Sequence, residues 1–159
     1  MAHITIEYMI MLPMLILQIF LFPLTASWLM NIWVDSRRTL ALQEAASHLG
    51  STIQQLYFSL NHETISAGTA TYSPGLPPFI ENYNYVGNAT LRAVSASANS
   101  SKVLSITLTL AKTRITVTTL VTLGSNVQWQ SSVFVSNSTN AVVSAEKLSD
   151  GTIRLYFGG

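Results

Sequence analysis

Three histidines and seven carboxylates, with no cysteine, make up the acid–base and metal-ligating repertoire of this 159-residue chain. His3, His48 and His62 are too scattered along the sequence to form a zinc motif. Glu44 and His48 stand four residues apart, a spacing that suits a proton relay or half of a metal site but equally a solvated pair on a helix surface. Glu63 and Glu81 flank a proline-rich loop, as carboxylates do on many surfaces. No His-Glu-x-x-His, Gly-x-Ser-x-Gly or phosphate-cradling glycine loop occurs. Without cysteine there are neither disulfides nor thiolate ligands, and a formal net charge of +1 provides no basic field for nucleic acid. No catalysis, cofactor or metal is therefore expected. The carboxylate whose setting asks most of it is Glu7, which precedes a long uncharged run. An ionised carboxylate in apolar surroundings is stable only when paired. The cation that this end of the chain can supply is an α-amino group on a neighbouring copy, offset by a few residues, and such a pair would set the axial stagger between copies. Alternatively, Glu7 is the solvated flank of a membrane helix.

The run that follows, residues 8–34, holds 27 positions without a charge, bounded by Glu7 and by Asp35, Arg37 and Arg38. As a helix it would reach about 40 Å, more than the roughly 30 Å of a bilayer core. Lipid or other copies of the same helix must cover it. A cleavable secretory signal would have a basic start and an apolar stretch of about 7 to 15 residues; this stretch is nearly twice too long, although Leu24-Thr25-Ala26 loosely resembles a cleavage site. Pro13 and Pro23 each remove one backbone hydrogen bond, which is tolerated at such depth where neighbouring protein, hydroxyls or water satisfy the freed carbonyl. Gln18, Thr25, Ser27 and Asn31 are suited to bonding between helices, and Trp28 and Trp33 to anchoring at an interface.

Residues 4–9, Ile-Thr-Ile-Glu-Tyr-Met, lead directly into this helix. Here the chain resembles the N-terminus of archaeal type IV pilin-like proteins, in which a class III signal site precedes a Gln-x-Ser-x-Glu-Tyr type of stretch and a long apolar helix. The resemblance covers about 30 residues. It implies that His3 stands where glutamine is usual, Thr5 where serine is usual and Glu7 on the glutamate, with a prepilin peptidase cutting between Ala2 and His3. It departs from the pattern at His3, and the basic leader is reduced to Met-Ala. The implied partners are the peptidase, the pilus assembly machinery and further copies of the chain in a helical homopolymer, with the membrane as host before assembly. Within it, His3, Thr5, Glu7, Pro13 and Pro23 are the assembly positions.

The helix is expected to continue past the apolar run. Leu42, Ala45, Ala46, Leu49, Ile53, Leu56, Tyr57 and Leu60 trace one helical stripe, with Gln43, Glu44, Ser47, His48, Ser51, Gln54 and Gln55 on the other side. Asp35 or Ser36 could cap a restart if the helix breaks there. Residues 61–88 read as irregular and aromatic, with the turn-rich stretch Ser73-Pro74-Gly75-Leu76-Pro77-Pro78 inside them. Strand patterning follows: Leu104, Ile106, Leu108 and Leu110 alternate with hydroxyls, as do Ile115, Val117, Thr119 and Val121. Residues 127–136, 141–148 and 152–157 continue the pattern, and Asp150-Gly151 marks a hairpin. The expected architecture is α+β: a helical segment 1–60, apolar over 8–34 and amphipathic over 35–60, then an antiparallel, sandwich-like β-domain over 61–159.

Charged residues make up 9% of the chain, against about 25% in ordinary soluble proteins. The 36 serines and threonines must therefore supply much of the hydrophilic surface. Asn88, Asn99 and Asn137 open Asn-x-Ser/Thr sequons where the strand pattern breaks, so each is expected in an exposed turn able to carry an N-glycan. Two functions compete. One is a structural subunit of an extracellular archaeal pilus-like filament for adhesion or cell contact, membrane-inserted before assembly. The other is a single-span membrane protein whose extracellular β-domain binds a partner or ligand. Arg37 and Arg38 conflict with both, because the positive-inside rule would place the β-domain in the cytoplasm.

Overall fold

The computed structural model describes residues 2–96 and 100–158, with side chains from residue 9 onward. Among the described residues one helix, α1 (Ala2–Leu60), precedes eight strands: β1 (Gly68–Tyr72), β2 (Tyr85–Ala93), β3 (Lys102–Leu110), β4 (Thr116–Leu123), β5 (Val127–Trp129), β6 (Val133–Val135), β7 (Val142–Lys147) and β8 (Ile153–Gly158). The fold is α+β, a long apolar N-terminal helix followed by two sheets in which antiparallel pairing predominates. The chain divides into two compact units, Met1–Arg37 and Arg38–Gly159. Helix α1 runs through Asp35 and Ser36 without the break that either could have capped.

The amphipathic half of α1 lies in the second unit, where its stripe becomes the core. Leu42, Ala46, Leu49 and Ile53 are fully buried, and Ala45, Tyr57 and Leu60 nearly so. Gln43, Glu44, Ser47, His48, Ser51 and Gln55 face solvent. Burying a leucine or isoleucine side chain contributes about 1.5–3 kcal/mol, so this short stretch is a major part of the core. Gly50 sets how closely helix and sheet approach: a Cβ there would lie 3.0 Å from Val121 Cγ2 of β4.

The sheets have strand orders β1-β7-β8-β5 and β4-β3-β2-β6. In β3 the period of two places Leu104, Ile106, Leu108 and Leu110 inward, and all four are fully buried. The β3–β4 register sets Leu104 opposite Val121 and Leu108 opposite Val117. Strands β7 and β8 form the hairpin that Asp-Gly predicts. Gly151 takes φ +82°, Leu148 N–H donates to the Thr152 carbonyl at 2.9 Å, and Asp150 Oδ1 accepts from Thr152 N–H at 2.9 Å. The bond from the Thr152 N–H holds the Asp150 carboxyl below its usual value.

Two stretches differ from their sequence patterns. Residues 61–88 are not irregular throughout, since they contain β1 and the start of β2. Strand β1, Gly-Thr-Ala-Thr-Tyr, is largely exposed and shows no apolar alternation. It is a strand because β7 pairs with it, and Thr71 and Ser144 hydroxyls meet across that pair at 3.1 Å. The run 127–136 reads as one strand but divides between the sheets. Its first part, β5, pairs in parallel with β8, and its second, β6, pairs with β2. Ser132 Oγ bridges the break, donating to the Gln130 carbonyl at 3.0 Å and accepting from Phe157 N–H at 2.8 Å.

Between the sheets, Tyr85, Phe134, Phe157 and Trp129 form a chain of ring contacts at 6.3, 5.7 and 4.9 Å. Tyr85 also ties down the proline-rich loop. Its hydroxyl donates to the Pro77 carbonyl at 2.8 Å, and Ser136 Oγ donates to the Pro78 carbonyl at 2.8 Å. Burial pushes the Tyr85 hydroxyl up to about 12.

Candidate assembly surface

An α-helix hides its own backbone polar groups, so a helix without charged side chains can be covered entirely by lipid or by like helices. From residue 9 to residue 34 α1 meets this description: the helix is long and apolar enough to cross a membrane, and its apolar window is not buried by any of the described residues. Met9 is 80% exposed, Phe22 77% and Leu24 67%. Leu15, Leu17, Ile19, Trp28 and Ile32 are exposed as well. Near the end of the run, the Arg37 guanidinium lies 5.0 Å from the Trp33 ring centroid. This cation–π contact suits a side chain whose stem is apolar and whose head is charged.

Both prolines of the run are inside the helix. Pro13 has no N–H for the Met9 carbonyl, and Pro23 none for the Ile19 carbonyl. The Thr25 hydroxyl is engaged with the Leu21 carbonyl at 3.1 Å and the Phe22 carbonyl at 3.0 Å. Around Pro23 the helix surface is concave, a notch lined by Leu15, Gln18, Ile19, Phe22 and Pro23 among others. Sequence patterning flags Gln18 and Pro23 singly, without bringing them together. Their spacing gives no such signal, because residues five apart lie about 140° apart around a helix; the concave surface between them joins the two. Backbone residues 3, 5 and 7 are helical, whereas the side chains of His3, Thr5 and Glu7 lie outside the described residues.

The remaining sequence candidates are dispersed over the second unit. Asn137 is exposed in the turn after β6, and its Oδ1 accepts from Asn84 Nδ2 at 3.4 Å. Asn88 is not in a turn. It sits within β2, its side chain exposed and its backbone paired with Thr107 on one side and Val133 on the other. Sequence patterning places it outside a strand because Asn and Gly87 are weak strand formers; pairing on both sides overrides that preference. Asn99 lies outside the described residues. The outward face shared by β2, β3 and β4 carries Asn88, Thr90, Ser105, Thr107, Thr118 and Thr122, and Thr107 and Thr118 hydroxyls lie 3.0 Å apart. This hydroxyl and amide surface is how a chain with few charges stays hydrated.

Glu44 and His48 are exposed, on the wall of a cleft of about 280 Å³ that includes Leu76, Pro77 and Ile80. His62 Nδ1 lies 2.8 Å from Thr64 Oγ1. Among the described residues no three His, Asp or Glu side chains gather as metal ligands would. Glu81 has a structural partner that its sequence position does not reveal. Arg38 Nε donates to Glu81 Oε2 at 2.8 Å, and the same guanidinium lies 5.2 Å from the Tyr83 ring centroid. Glu81 and Asn82 take φ +46° and +70° in a tight turn between the bridged residues Ile80 and Tyr83. The left-handed backbone costs on the order of 1–3 kcal/mol per residue, and the pairing with Arg38 helps to hold it. A scan against protein-family models, a search of curated proteins and a search of solved structures each return no match for this chain.

Proposed function

We propose that this protein is the structural subunit of an extracellular, archaeal type IV pilus-like filament that serves adhesion or cell contact. Copies polymerise through α1 up to residue 34, while the Arg38–Gly159 unit forms the outer layer. The observation that carries this proposal is the contrast between an apolar segment with nothing covering it and a second unit whose core is already complete. The resemblance of residues 4–9 to the archaeal pilin-like start adds the direction of assembly, with Glu7 paired to a neighbour's amine. Before assembly the segment resides in the membrane; prepilin peptidase and the pilus assembly machinery are the partners, and Asn88, Asn99 and Asn137 are the glycan acceptors. Nucleic acid has no part in it. Negative-stain microscopy of material sheared from cells tests the proposal. Thin filaments containing this chain are expected; only detergent-soluble monomers would refute it.

The second reading is a single-span membrane anchor for an extracellular binding domain. The stacking of Arg37 on Trp33 at the end of the run favours it, because this is how a lone span fixes its depth at an interface. The same microscopy separates the two.

A further inference from the structure

We infer that neighbouring copies are joined near the middle of the apolar run by a hydrogen bond from the Gln18 side-chain amide of one copy to the Ile19 carbonyl of the next, within the notch beside Pro23. The inference rests on the homopolymer reading and adds the contact that fixes helix against helix. Because Pro23 has no N–H, the Ile19 carbonyl has lost its α-helical donor. The nearby hydroxyl of Thr25 is engaged with Leu21 and Phe22 instead. Gln18 is exposed and its amide has no hydrogen-bond partner among the described residues. Both groups belong to the same concave patch.

Within one helix they cannot satisfy each other. Side chains lean towards the N-terminus and carbonyls point towards the C-terminus, so the Gln18 amide reaches back over the Leu15 turn, away from the Ile19 oxygen. Hydrocarbon provides neither a donor nor an acceptor, and the Thr25 hydroxyl is already engaged, so a neighbouring protein chain is the partner that meets both a buried amide and a freed carbonyl. A second copy, offset along the axis by the few residues that the Glu7–amine pairing implies, brings its amide level with the freed carbonyl. Each copy then donates to one neighbour and accepts from another. Such a head-to-tail contact propagates where it does not close into a ring. Asn31 and the Met9 carbonyl freed by Pro13 lie towards the ends of the run, closer to water, which leaves Gln18 and Ile19 as the pair with no other recourse.

A double-mutant cycle on the full-length protein in detergent micelles tests this. The chain has no cysteine, so Ser149→Cys, in the exposed β7–β8 turn, accepts donor and acceptor dyes for energy transfer between copies. Gln18→Leu removes the donor. Pro23→Ala restores the N–H and so satisfies Ile19 within its own helix. Each is expected to weaken association about three- to thirty-fold, the range found for hydrogen bonds between membrane helices. The double variant should be no weaker than the weaker single one. Unchanged transfer in Gln18→Leu, or effects of the two substitutions that multiply, would overturn the inference and leave the homopolymer reading standing. Absence of transfer in the parent protein at every concentration would refute the homopolymer reading itself.

Discussion

Residues 9–34 and 42–60 belong to one helix and are both rich in leucine, yet they meet opposite surroundings. Met9 and Phe22 are 80% and 77% exposed, whereas Leu42, Leu49 and Ile53 are completely buried. The difference lies in periodicity. Around the first segment apolar side chains occupy every face, so no single sheet packed on one side could cover them. Along the second they form one stripe with a polar back, and strands of the same chain cover it. One helix thus carries a segment that finds its partner within the molecule and another that must find it elsewhere. The weakly charged β-unit has no comparable apolar demand.

The largest expected effect breaks the first segment's partnership and spares the second. In the proposed filament, Glu7→Gln would leave a neighbour's amine without its counter-charge, and loss of one member of a buried pair costs about 3–5 kcal/mol, against about 0–1 for an exposed pair. Filament yield should collapse while the thermal unfolding of the β-unit stays unchanged; normal yield would make Glu7 a solvated flank. The reverse perturbation is Leu49→Ala, which opens a cavity among fully buried side chains. It should destabilise the β-unit by about 2–5 kcal/mol in denaturant unfolding. Leu17→Ala, in the uncovered segment, should leave that unfolding transition in place. Equal shifts from both substitutions would erase the distinction between the two segments.

A smaller effect appears at alkaline pH and belongs to the β-unit alone. Burial raises the Tyr85 hydroxyl from 10.0 to about 12. The folded state therefore binds this proton more tightly than the unfolded chain does. The resulting stability is complete below pH 10 and is lost as pH rises from 10 towards 12, by on the order of 2 kcal/mol. Tyr85→Phe removes this component, so its unfolding free energy should fall less steeply over that interval than that of the parent protein. Parallel pH curves would show that Tyr85 ionises as freely as a solvated phenol.

Elements whose residues carry their own periodicity were legible in the sequence. The stripe from Leu42 to Leu60 and the alternation in β3 lie where the pattern puts them, and the Asp-Gly hairpin joins β7 to β8. Elements defined by a partner strand were not. Strand β1 has no apolar rhythm and exists through β7. The run 127–136 looks continuous, yet the chain changes sheets at Gln130–Ser132 because β8 and β2 compete for it. Asn88 read as a turn residue, but pairing on both sides holds it in β2. At the candidate assembly surface, the apolar run was evident from composition, whereas the notch that gathers Gln18, Ile19 and Pro23 required three-dimensional placement.

The most direct test compares the full chain with a truncation beginning at Ser36, both viewed by negative-stain electron microscopy after detergent removal. The truncation keeps the buried stripe and all eight strands but loses the uncovered segment. Thin filaments are expected from the full chain and dispersed, soluble particles from the truncation. Filaments formed by the truncation, or a full chain that stays monomeric, would contradict assignment of assembly to the N-terminal part of α1.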